Sequence, residues 1–155
     1  MFTSRRDYML RIIDEIGRLV ARIVFKRGAG ADDEALELVV QGFERLFDLD
    51  RHQLFQFTPE QQFLMLTRDE PPETARDKAL LYAALSDQAG RTYTKIGNER
   101  MATATYRNAL TFLLKARQFA TDAPLPEYTP KVEELVALVG EDRLDPEMRQ
   151  LLAEG

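Results

Sequence analysis

The sequence predicts an all-α protein, an antiparallel helical array of about seven helices, and three observations carry that prediction. Leu occurs 21 times and Ala 17 times among the 155 residues, against 12 for Val and Ile together. Unbranched side chains keep their rotamer freedom on a helix, and β-branched ones lose it. Apolar residues recur at spacings of three and four, the repeat of a helix with one buried face. Gly, Pro, Asn and Thr stand where helices should begin and end, and no hairpin signal appears.

The first helix is expected over 4–26. Met9, Ile12, Ile16, Leu19 and Ile23 follow a 3, 4, 3, 4 spacing, and Ile13, Val20 and Val24 widen the stripe. Gly17 lies beside that stripe. It costs about 1 kcal/mol against Ala in a helix, so close approach of another helix is expected there. Arg27-Gly28-Ala29-Gly30 closes the helix, with Gly as the left-handed cap. Asp32-Asp33-Glu34 opens the second, acids at the positive end of the dipole. Its apolar face is Leu36, Val39, Val40, Phe43 and Phe47, and it ends near Asp48. A short turn is expected at Arg51–Phe55. Thr58-Pro59-Glu60-Gln61 reads as a capping box with Pro in the first turn, and that helix stops before Pro71-Pro72.

A long helix is expected from Glu73 to Ile96, with Gly97 as its stop. Asn98 caps the next, which reaches about Phe119. Asp122–Tyr128 holds Pro124 and Pro126 and reads as an extended connector. Thr129-Pro130 starts a helix ended by Gly140, and Asp145-Pro146 starts a last short one. The whole is expected to be one helical domain over 1–155, with a helix pair over 73–119 and short helices over 130–153.

Composition removes several classes of function. There is no Cys, hence no disulfide and no thiolate metal site. No charge-free run exceeds eight residues (His52–Pro59 and Ala79–Ser86), so no membrane span and no secretory core is expected, and the chain reads as cytoplasmic. The net charge of −5 argues against nucleic acid, which needs clustered cations. His52 is the only histidine. It has Asp48 and Asp50 nearby but no Ser or Cys nucleophile, and reads as structural. Calcium-loop spacing, Glu-x-x-His pairs and a phosphate loop are missing, so no cofactor or metal and no enzymatic activity is expected. Phe43, Phe47, Phe55, Phe57 and Phe63 read as core.

One motif rises above this background. Gly90 and Tyr93 reproduce G-x2-Y, Gly97 stands at the turn, Ala102 and Tyr106 reproduce A-x3-F with an aromatic exchange, and Ala109-Leu110 continues the spacing. The stretch 83–116 resembles a tetratricopeptide repeat, a helix pair of about 34 residues. It departs from that pattern at Ser86 for the Trp, Ala89 for the Leu and Leu114 for the Pro. The small residues let two helices touch, the tyrosines fill the space between them, and Gly97 allows the reversal. No second copy flanks it, so neighbouring helices must close its core. The opening block Asp7-Tyr8-Met9-Leu10-Arg11-Ile12-Ile13 with Gly17-Arg18-Leu19 also resembles the start of an uncharacterised bacterial family, which implies no known activity.

The resemblance implies a peptide-binding face on the first helix of the pair, here Asp87, Arg91, Thr94 and Lys95. Asp87, Arg91 and Lys95 are four apart and share a stripe. Arg91 and Lys95 would hold an acidic or C-terminal carboxylate of a partner peptide; a solvated face with one intrahelical ion pair is the plainer reading. Residues 1–27 carry seven cations and three acids, while the other 128 residues carry a net −9. Arg11, Arg18 and Arg22 lie opposite the Ile/Leu stripe. This first helix can pack on its own chain, pair with a second copy into a homodimer, or lie on an anionic membrane, which Asp14 and Glu15 oppose. Two function classes follow. One is a non-enzymatic scaffold that binds protein or peptide around residues 84–95. The alternative is a small-molecule or regulatory binding domain with an interhelical pocket near the aromatic residues of 43–63.

Overall fold

A computed structural model describes residues 5–154 of the chain, with side chains from Arg6 onward. Eight α-helices and no strand occur among them: α1 (Arg5–Gly28), α2 (Asp32–Phe47), α3 (Arg51–Leu54), α4 (Pro59–Thr67), α5 (Pro72–Lys95), α6 (Glu99–Ala116), α7 (Val132–Val139) and α8 (Pro146–Glu154), with a 3-10 turn at Glu141–Arg143. The all-α prediction holds. The predicted first residue of α1, Ser4, lies outside the described residues.

Local chemistry sets the boundaries. Thr58 Oγ1 accepts from the Gln61 amide at 3.2 Å, and Gln61 Oε1 accepts from the Thr58 amide at 2.8 Å, which is the reciprocal capping box. Asp50 caps α3 through the His52 amide, and Asn98 caps α6 through the Met101 amide. Gly97 reverses the chain between α5 and α6 at φ +82°, a left-handed conformation open to glycine. Beyond shifts of one or two residues elsewhere, two boundaries differ from the sequence reading. α6 ends at Ala116, three residues before Phe119, because the Gln118 and Phe119 amides tighten onto Lys115 and Ala116 carbonyls. α7 begins at Val132, since Thr129 is taken up in a turn closed on Pro126.

The fold is built around α5. It packs against α1, α2, α4 and α6, and nearly every residue from Ala75 to Thr92 is buried. Its small residues Ala75, Ala79, Ala83, Ala84, Ala89 and Gly90 let four helices approach one axis. α6 returns antiparallel to α5. A Cβ at Gly90 would sit 2.5 Å from Tyr106 Cε1, so the Tyr106 ring occupies the space that Gly90 leaves. Gly42 of α2 does the same for Leu85, whose Cδ2 would lie 2.6 Å from an added Cβ. By contrast Gly17, expected at a helix contact, has no atom within 4 Å of an added Cβ. The buried stripe of α1 (Met9, Ile12, Ile16, Ile23) turns Gly17 away from the core.

The connector after α6 is tied down by one side chain. Arg76, buried on α5, donates to the carbonyls of Ala123 (2.7 Å) and Pro124 (3.1 Å) and to Asp77 Oδ1 (2.9 Å). α7 and α8 then fold back on α6, with Leu135, Val139, Leu144 and Met148 joining the core.

Candidate functional site

The four residues of the expected peptide-binding stripe occupy one region, and their polar atoms are engaged within the chain. Asp87 is 7% exposed and accepts from Arg91 Nε at 3.1 Å. Burial pushes the Asp87 carboxyl above its ordinary range, and Arg91 and Arg27 only partly offset this. Arg91 also reaches Glu134 of α7 at 3.8 Å. Thr94 shares a hydrogen bond of 3.2 Å with the Tyr106 hydroxyl. Lys95 pairs with Asp32 at 3.2 Å and donates to the Arg27 carbonyl. Arg27 arrives from α1 and donates to the Gln88 carbonyl and Thr92 Oγ1. The charged stripe therefore joins the ends of α1, α2 and α5 to α7. Its spacing alone could not show this, because Arg27, Asp32 and Glu134 are distant in sequence.

A different feature has the geometry of a site. A cavity of about 410 Å³ lies between α2, the α3–α4 segment, α5 and α6. Leu36, Val39, Val40 and Phe43 of α2 form one wall, because their three-and-four spacing continues the face that packs on α5. Tyr82, Ser86, Ala89 and Tyr93 of α5 form the floor, and Met101, Thr105 and Asn108 of α6 the opposite wall. Phe55, Phe57, Pro59 and Gln62 close the remaining side. The volume falls in the range of small-molecule pockets, and the lining carries no charged side chain.

The floor is fixed by aromatic packing and a short hydrogen-bond chain. Tyr82 stacks on Phe112 with ring centroids 3.6 Å apart and 12° between planes. Phe43 meets Tyr82 at 5.0 Å and Phe55 edge-on at 6.5 Å. The Tyr82 hydroxyl donates to Gln62 Oε1 at 3.0 Å, and Gln62 Nε2 donates to the Leu54 carbonyl at 3.2 Å. Burial pushes the Tyr82 phenol up to about 12, with the Ser86 hydroxyl as a smaller opposing influence, so it stays neutral in ordinary buffers. Among the described residues that line the cavity, Asn108 and Tyr93 spend no side-chain polar atom on an internal hydrogen bond.

Phe55 and Phe57 correct the expectation that all five phenylalanines are core. They are 55% and 40% exposed and stand at the pocket mouth. Phe43 is buried, while Phe47 and Phe63 are partly so. The signal was present in the sequence: both lie in the charge-free run His52–Pro59, which is too short and irregular to present a single face. His52 itself is exposed on α3. No cluster of three metal-ligating side chains occurs among the described residues. No helix there is long and apolar enough to cross a membrane. No protein family, curated protein or solved structure matches this chain.

Proposed function

We propose that the protein is a non-catalytic binding module, and that the pocket between α2, α4, α5 and α6 takes a small, neutral, largely apolar or aromatic molecule. The observation that carries this reading is the lining itself: an apolar cavity of about 410 Å³ with no carboxylate, ammonium, guanidinium or imidazole among its residues. Such a site gives no counter-charge to an anion and no group that titrates near neutrality for proton transfer. What it does supply is burial of apolar area, with the uncommitted side chains of Asn108 and Tyr93 in its lining to hold one end of a ligand. The exposed rings of Phe55 and Phe57 would lose water as the ligand enters, which adds to the driving force.

The test uses a neutral environment-sensitive dye, N-phenyl-1-naphthylamine. Wild-type protein should enhance its fluorescence saturably at one site and gain thermal stability with dye present. Met101→Trp, a plug at the exposed pocket mouth, should weaken binding at least about tenfold while leaving the helical circular dichroism unchanged, a loss of about 1.4 kcal/mol. Saturable binding that the plug leaves intact would place the dye elsewhere. Failure of the dye and of a neutral aromatic fragment set to bind at all would remove the proposal.

A further inference from the structure

The floor of the pocket is buried in the core, its mouth is a short exposed turn, and one buried side chain joins the two. Phe55, Gln56 and Phe57 form that turn between α3 and α4, and all three are exposed. Its backbone hydrogen bonds run back to α3: the Phe55 amide donates to the Arg51 carbonyl at 3.0 Å, Gln56 to Gln53 at 3.3 Å and Phe57 to Leu54 at 3.2 Å. The turn therefore leans on a helix of four residues, too short to hold its own shape. Two side chains hold that helix in place. At its start Arg51 pairs with Glu37 at 2.7 Å and Glu44 at 3.1 Å, both on α2. At its end the Leu54 carbonyl accepts from Gln62 Nε2 of α4 at 3.2 Å.

Gln62 is 6% exposed, and an amide so buried costs stability unless its polar atoms are paired. A carbonyl oxygen can only accept, so Gln62 must turn Nε2 toward Leu54 and Oε1 toward Tyr82, whose hydroxyl is then the donor, at 3.0 Å. Tyr82 in turn is stacked on Phe112 in the core. The amide thus carries the rigidity of the floor to the end of α3, next to the two phenylalanines of the mouth. We propose that Gln62 is the positioning residue of the pocket, and that its tie to Leu54 sets how long a ligand stays. This rests on the pocket being the binding site. A mouth held in one arrangement costs a ligand no further ordering. When the tie is broken, Phe55 and Phe57 lose their fixed place over the cavity and the ligand leaves faster. Entry changes little, because the mouth already faces solvent.

Stopped-flow fluorescence with N-phenyl-1-naphthylamine tests this on the full chain. Gln62→Met keeps the side-chain length and removes both hydrogen bonds. It should speed dye release at least about tenfold while the association rate stays near that of wild type. Gln62→Asn keeps the amide but is one methylene too short to span Leu54 and Tyr82. It should shift release the same way, and serves should Gln62→Met not fold. Leu66→Ala is the control for a general loss of stability: Leu66 is buried on the same helix but does not line the cavity. It should lower the melting temperature and leave dye release close to wild type. Amide exchange without dye gives a second readout. In Gln62→Met it should quicken over residues 54–58 before it does elsewhere. Dye that binds wild type but leaves Gln62→Met and Gln62→Asn at an unchanged rate would overturn the role of Gln62 and leave the pocket standing. So would release from Leu66→Ala as fast as from Gln62→Met, or exchange that quickens evenly along the chain. A wild type that binds no dye would remove the pocket reading and this inference together.

Discussion

Tyr106 and Gly90 form a complementary pair in which either residue explains the other. The ring is buried, and it stands where a Cβ of residue 90 would be. Tyr106→Ala should therefore destabilise the fold by about 3–5 kcal/mol in urea unfolding, through lost burial and the cavity left behind. A smaller loss, under about 1 kcal/mol, would mean that the site collapses on deletion. Asp87 gives a pH-dependent test. Its carboxyl is buried, and its proton affinity is higher folded than unfolded. Between the ordinary carboxylate range and that raised value the native state holds more protons, so this group costs stability as pH rises. Asn has no such loss. The melting temperature of Asp87→Asn relative to wild type should therefore increase from acid to neutral pH. A constant difference would show that Arg91 and Arg27 compensate the burial fully. Asp77 is also raised by burial, but it titrates in both proteins and drops out of the comparison.

At the scale of elements, Arg76 is the side chain that joins α5 to the connector ahead of α7. Arg76→Ala leaves Asp77 and two carbonyls buried without their donor, which should cost about 3–5 kcal/mol. Amide exchange should quicken first over residues 120–131 if the clamp acts as the geometry indicates; uniform quickening would point to global loss instead. Gly17→Ala should do the opposite. With nothing near its Cβ, Ala removes the helix penalty of glycine and should raise stability by up to about 1 kcal/mol in dilute solution. These two residues also show where sequence reasoning reaches its limit. The capping box at Thr58, the stop at Gly97 and the cap at Asn98 are local chemistry, complete within a few residues, and the sequence displays them. Which neighbour fills the space beside a glycine is tertiary. Gly17, Gly42 and Gly90 read alike in a helical pattern, yet only the latter two meet another helix. The pocket was legible only as an aromatic-rich region, because its walls come from residues 36 to 108 and its mouth from two phenylalanines in a run with no helical repeat to say which side they face. The charged stripe is a different case. Its residues do share a face, but what covers that face is set by Arg27, Asp32 and Glu134.

Over the whole molecule the dominant fact is the burial of α5 on every side. α1, α2, α4 and α6 all spend their apolar faces on it, and the Tyr82–Phe112 stack and the Tyr82–Gln62 hydrogen bond lock α4 and α6 to its middle. α3 and α8 are short and hold few buried side chains: Leu54 in one, Met148 in the other. Local opening should therefore be graded by distance from α5, since the free energy of exposing an amide follows the apolar contacts broken with it. Native-state hydrogen exchange should find the slowest amides over Leu80–Ala89, all opening only with global unfolding. Amides of α8 should exchange faster by several orders of magnitude through local fraying. Ligand in the pocket should slow exchange in the connection between α3 and α4 and at the start of α4, which carry Phe55, Phe57 and Pro59, and leave α8 unchanged, because the cavity touches the former and not the latter. Equal protection of α8 and α5 would require a cooperative unit larger than the core built on α5. Protection spreading from the ligand to α8 would mean that the pocket is coupled to the far end through α6.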